Sequence, residues 1–270
     1  MKEVIDLLIF GGQSNMQGQT ECLPEPNEPV EGAWEYRYRI DARIPLCHPV
    51  GEDIAAASGE TSLKGAHEGH GSLVPDACRA YVAETGRKVV AIHVACGGTC
   101  IHEWLRGTER FDLAMAKIKA GIAKAKESYE IGHIAYLWLQ GESDAIDGRA
   151  EEVYRERMTD FKEDLKREAG IEVFGIIKVG YFCRTVSWLR YRYDEESGRA
   201  ADEVIMEAQE HLTREDPDFV MLARVCPAMS LEVKWINPYA EGHYSNAAMT
   251  VIGTVAGRAL ARCFSERKTV

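Results

Sequence analysis

Five runs of consecutive apolar residues limit what this chain can fold into: Val4–Phe10, Val89–Ala95, His133–Leu139, Val173–Val179 and Phe219–Val225. They are continuous rather than alternating, as strands buried on both faces are. Helical patterns lie between and after them, over Leu73–Thr85, Phe111–Lys126, Ala150–Ala169, Ala200–Leu212 and Asn246–Phe264. Gly86 and Gly170 follow two of these helices and suit left-handed C-caps. Strands alternating with helices predict an α/β protein with a parallel sheet covered on both faces. Two segments break the alternation, 19–71 and 182–198. Each follows a strand, so each belongs at the carboxyl edge of the sheet, where long loops build functional walls. The expectation is one domain, 1–270, with two loop insertions.

The net charge is −11. That argues against nucleic acid and anionic membranes as main partners. The basic stretch Arg184–Tyr193 reads as a solvated loop. No apolar stretch approaches the roughly 20 residues of a spanning helix, and MKEVIDLLIF lacks the layout of a signal peptide. Eight cysteines show neither CxxC pairs nor zinc spacing, so they read as reduced thiols filling a core. The expected compartment is the cytoplasm, with no metal and no cofactor.

The chemistry gathers where strands end. FGGQSNM (Phe10–Met16) passes from an apolar run straight into glycine, amide and serine, presenting Gln13, Ser14 and Asn15. Ser14 is either a helix cap or a nucleophile. HVACGGTCIHEWL (His93–Leu105) turns on Gly97-Gly98, glycines that let backbone N–H groups approach a ligand or that form a tight turn. YLWLQGESD (Tyr136–Asp144) ends a third strand on Gln140, Gly141 and Glu142. EGHYSNAAM puts His243 just before the last helix. In a parallel sheet all these ends share one rim. A histidine can take the serine's proton near neutral pH. The N–H groups of Ser14 and Gly97 or Gly98, with the Gln140 amide, can hold an oxyanion.

GQSNM followed by GGT…W, WLQGESD, the LCHPVGE loop (Leu46–Glu52) and a C-terminal His resembles the sialate O-acetylesterase and acetylxylan esterase group, carbohydrate esterase family six of the SGNH/GDSL hydrolases. The similarity spans Phe10 to about Gly253. It implies a three-layer α/β/α sandwich around a five-stranded parallel, flavodoxin-like sheet, and hydrolysis of O-acetyl esters on sugars. By motif position Ser14 matches the nucleophile, His243 the base, and Gly97 or Gly98 and Gln140 the further oxyanion donors.

One position departs from the pattern. The superfamily's D-x-x-H acid is replaced by Ala240, yet the imidazole needs a group to fix its tautomer. Glu142 is the first candidate, the Glu241 carboxylate the second, and a backbone carbonyl with no acid the third. Asp144 reads as a helix N-cap. Trp104, Trp34, Tyr36 and Tyr38 are candidate walls for a sugar ring or ordinary core. Gln13 and Asn15 are candidate substrate contacts, and Arg184 and Arg190 are candidates for a substrate carboxylate. Two rival readings follow: a carbohydrate-binding protein of this fold that has lost turnover, and a superfamily esterase or thioesterase acting on non-sugar esters. The sequence leaves the sugar and the oligomeric state open.

Overall fold

A computed structural model describes residues 2–59, 61–67, 70–194 and 199–267. Seven strands form its main sheet: β1 (Glu3–Gly12), β2 (Ala33–Arg37), β3 (Ala42–Pro45), β4 (Lys88–Ala95), β5 (Tyr129–Leu139), β6 (Val173–Ile177) and β7 (Phe219–Ala223). Their order is β7-β6-β5-β1-β4-β2-β3. The five expected strands are parallel to one another. Two more come from the first insertion, where the sequence predicts only loop: β2 runs parallel to β4 and β3 antiparallel to β2. Trp34, Tyr36 and Tyr38 belong to this edge and its turn. Tyr36 is core, Trp34 packs on Tyr129, and none of the three reaches the cleft described below.

Alternation along β1 explains the three layers. Leu7 and Ile9 face one core, with side chains of α3 (Glu109–Ser128), α5 (Glu151–Ala169) and α6 (Ala201–Glu215). Leu8 and Phe10 face the other, with α2 (Val74–Thr85), the short α7 (Cys226–Met229) and α8 (Asn246–Arg267). Side chains one apart on a strand point to opposite faces, so a strand apolar at every position needs a helical layer on each side. Gly86 and Gly170 cap their helices in the left-handed region, at φ 67° and 69°. Helix α8 corrects one expectation. Over Asn246–Glu266 it is long and apolar enough to cross a membrane, although here its apolar side packs against α2 and the sheet.

Asp6, a carboxylate inside the apolar run of β1, is fully buried and fully matched. It accepts from Tyr81 Oη at 2.8 Å, Arg87 Nε and Nη2 at 2.6 Å each, and the His133 N–H at 2.8 Å. Buried ions anchor the first insertion as well. Lys117 on α3 pairs with Glu52 at 3.0 Å, and Glu35 on β2 pairs with Arg37 and accepts the Gly51 N–H. Paired charges can be buried; isolated ones cannot.

Registers put Gly12, Ala95 and Leu139 side by side. The three strand ends therefore open onto one rim, at the β1–β5 point where the strand order reverses. Open α/β sheets bind ligands at such a point.

Candidate active site

Gly12, at φ 141°, ends β1, and any Cβ there would run into the Leu139 carbonyl. The chain can thus turn sharply and start a single helical turn, α1 (Ser14–Gln17). Ser14 is almost buried at the foot of a cleft of about 600 Å³. From the other end of the chain, a turn at 237–243 brings in His243. Its backbone is pinned by the His243 N–H donating to the Ala240 carbonyl at 3.1 Å and the Asn237 N–H donating to the His243 carbonyl at 2.8 Å. The Asn237 side chain ties this turn to the Gln19 carbonyl at 2.7 Å.

The Ser14 hydroxyl lies 2.9 Å from His243 Nε2. On the far side of the ring, Nδ1 lies 3.1 Å from the Glu241 backbone carbonyl. A carbonyl oxygen only accepts, so Nδ1 carries the proton and Nε2 is left to accept from the serine. Burial pulls the His243 pKa below its ordinary 6.5, partly offset by the carbonyls of Glu241 and Ala240. The ring is therefore neutral, and basic at Nε2, at neutral pH.

Neither candidate carboxylate reaches this ring. The Glu241 carboxylate turns to the second insertion and accepts from the Ser187 N–H at 2.9 Å and the Ser187 hydroxyl at 2.8 Å. Glu142, the first candidate, is buried beneath the site. Its Oε1 accepts from Asn15 Nδ2 at 2.8 Å, and its Oε2 has no hydrogen-bond partner among the described residues. Burial pushes its pKa up to about 7, with the Asn15 amide opposing and nearby Asp202 adding to the rise. The carbonyl alternative is the one the geometry realises.

Other candidates are also moved. Asn15 is internal: besides Glu142 it donates to the Gly242 carbonyl at 3.3 Å and accepts the Tyr244 N–H at 3.3 Å, so it joins α1 to the histidine turn and offers nothing to a substrate. Gln140 is fully buried and committed, donating to the Thr99 carbonyl at 2.9 Å and to Asp144 at 2.7 Å while Tyr154 donates to its Oε1. It cannot double as an oxyanion donor. Asp144 is no N-cap; it lies inside the short helix α4 (Glu142–Ile146) and accepts the Ile101 N–H at 2.8 Å. Trp104 is core, edge-on to Trp138, its indole N–H on Thr99. Arg184 sits over Tyr181 and does not line the cleft. The Arg190 side chain is outside the described residues.

What remains facing the cleft near Ser14 is Gln13, Gly97 and Gly98. The Gly97 N–H is engaged by Gln17 Oε1 at 2.9 Å. Gly98, at φ 72°, has an N–H without a partner among the described residues, as has the first-turn N–H of Ser14. Gln13 accepts the Ser143 N–H at 3.2 Å through Oε1, which leaves its amide NH₂ to the cleft.

Sequence reasoning missed several lining residues. Gln17, one turn after Ser14, also donates to the Gly65 carbonyl at 2.8 Å and so joins α1, the Gly97 turn and the first insertion. Its i+3 spacing from Ser14 was the available signal. Lys64, His67, Phe182 and Trp188 come from the two insertions and carried no periodicity that could reveal them. Among the described residues no group of three or more His, Cys, Asp or Glu could hold a metal.

The three-layer sandwich has the fold of the SGNH/GDSL hydrolases: a structure described as a GDSL-like lipase, from Parabacteroides merdae, superposes with a TM-score of 0.53 at 11% identity over 96% of this chain and 97% of the other. Within that class the match is specific. The family described as carbohydrate esterase, sialic acid-specific acetylesterase, matches residues 4–221, and the chain belongs to it. It is a carboxylic ester hydrolase. A protein of Arabidopsis thaliana named as a probable carbohydrate esterase is 25% identical over 189 residues, covering 64% of this chain and 67% of that protein. The Arabidopsis structure superposes with a TM-score of 0.70 at 18% identity, covering 97% of this chain and 99% of the other. NanS superposes with a TM-score of 0.64 at 16% identity over 100% and 99% of the two chains. A carbohydrate acetylesterase from Xanthomonas citri gives 0.54 at 15% identity, over 95% of this chain and 57% of its own.

Proposed function

We propose that this protein removes O-acetyl groups from sugars through an acyl-enzyme on Ser14. The observation that carries the reading is the 2.9 Å contact between Ser14 Oγ and His243 Nε2 beside two N–H groups that have no partner among the described residues. His243 Nε2 takes the hydroxyl proton as Oγ bonds to the acetyl carbon. The carbonyl oxygen becomes an oxyanion, received by the N–H groups of Ser14 and Gly98 and the Gln13 amide. The C–O bond to the sugar then breaks, and the proton on Nε2 passes to the departing sugar oxygen. Water, deprotonated by the same nitrogen, releases acetate and restores Ser14.

No carboxylate takes part: the Glu241 carbonyl supplies the tautomer-fixing contact that an aspartate gives in a triad. Membership of the family and the likeness to the Xanthomonas carbohydrate acetylesterase support the acetyl group and the sugar. The cleft fits them too, because its insertion-borne walls mix apolar and polar side chains. Eight cysteines without a disulfide suit a reducing compartment, so we place the reaction in the cytoplasm, on short imported acetylated saccharides. Ser14→Ala tests the mechanism directly. The variant should fold normally and lose about 10³-fold or more in kcat on acetate esters; full turnover would end the proposal.

A further inference from the structure

The second insertion contributes a wall that the acyl-transfer steps do not use. Trp188 lines the cleft yet is 65% exposed, while Val186 and Leu189 on either side are buried in a small core with Phe182. An indole held outward beside a catalytic serine is an apolar face awaiting cover. The strap that carries it, Ser187–Arg192, is also fixed in place. The Glu241 carboxylate grips the Ser187 N–H and hydroxyl, while the backbone carbonyl of the same residue orients His243. One residue thus anchors both the wall and the base.

We propose that Trp188 is the platform for the sugar ring on the alcohol side of the ester, and that Glu241 is the positioning residue that sets this platform in register with Ser14 and His243. A pyranose has an apolar C–H face and a rim of hydroxyls. The indole covers the face, and the cleft's Asp53, Lys64 and His67 offer partners to the rim. The proposal rests on the serine esterase reading and names the group that selects its alcohol.

The test compares kcat/KM for an O-acetylated methyl pyranoside with that for ethyl acetate, which has no ring. In Trp188→Ala the ratio of sugar to ethyl acetate falls about tenfold or more, the loss expected when an aromatic contact is removed, and Trp188→Phe restores most of it. A ratio that stays within about twofold of the parent overturns the proposal. Glu241→Ala frees Ser187 but keeps the carbonyl. It raises KM for the pyranoside more than for ethyl acetate, and Glu241→Gln, which keeps an acceptor, reverses the change; equal effects on both esters refute the positioning role. Binding is read separately in Ser14→Ala by tryptophan fluorescence during titration with the pyranoside. The emission change disappears when Trp188→Phe is added. Its persistence there counts against the platform, whereas turnover by Ser14→Ala would count against the mechanism alone.

Discussion

Replacing Glu142 with glutamine separates two roles for a buried acid under the active site. If it supports the base, its amide should cripple the enzyme. If it is a matched structural group, the amide should be silent in catalysis and helpful to stability. The structure favours the second outcome. Gln keeps an acceptor for Asn15 Nδ2 and places an NH₂ where Oε2 has no partner among the described residues. The carboxyl titrates near 7 in the fold, raised by burial from 4.5. Between those values the fold holds a proton that the unfolded chain has already released. Stability therefore falls as pH rises from 4.5 through about 7, by about 3 kcal/mol in all. Glu142→Gln has no proton to lose. Its melting temperature should match the parent near pH 4.5 and exceed it at pH 8 by about 6 °C or more, while kcat/KM for an acetate ester stays within about threefold. Melting curves at the two pH values and initial rates at pH 8 decide it. A rate loss near the roughly 10⁴-fold seen when a triad carboxylate is amidated, with no pH-dependent gain in stability, would refute the reasoning.

Three further outcomes follow from the same geometry. Because burial lowers the His243 pKa and the base must be neutral to act, the acid limb of kcat/KM should have its midpoint below the ordinary 6.5, so a pH–rate profile should still show more than half of its maximum at pH 6.5. Gln13→Ala should lower kcat by about 10²-fold with little change in KM, as loss of one oxyanion donor does; steady-state kinetics on a small acetate ester check this. Asp6→Ala should cost about 3–5 kcal/mol by leaving Arg87 and Tyr81 facing an empty acceptor position, read from denaturant unfolding, with the specific activity of the folded fraction unchanged.

The layers of the fold were legible because a strand apolar at every position has only one kind of home. Each of the five runs became a strand of the parallel sheet, and each helical pattern a helix with ends shifted by a few residues. The edge strands β2 and β3 were not legible. Ala33–Arg37 mixes polar and apolar residues, and its glutamate can be buried because it pairs with the half-buried Arg37 and accepts from the loop. At the rim, the positions of Ser14 and the Gly97-Gly98 turn could be read because parallel strands share their carboxyl end, and that of His243 because it precedes the last helix. The direction of a side chain could not. Gln140, Asn15 and Trp104 look like site residues in one dimension, but Gln140 and Asn15 are claimed by backbone carbonyls distant in sequence, and the buried Trp104 indole donates to the nearby Thr99 hydroxyl. Trp188 shows the reverse failure: no periodicity marks it, and only the fold of the strap brings it to the cleft.

The carbonyl contact behind the His243 imidazole has a consequence for which substitutions could disturb it. A main-chain oxygen belongs to whichever amino acid occupies position 241, so no point substitution deletes it; only a change in the path of the turn does. The support for the ring therefore depends on loop shape, held by Ala240, the left-handed Gly242 and the Asn237 tether, and not on the identity of an acid.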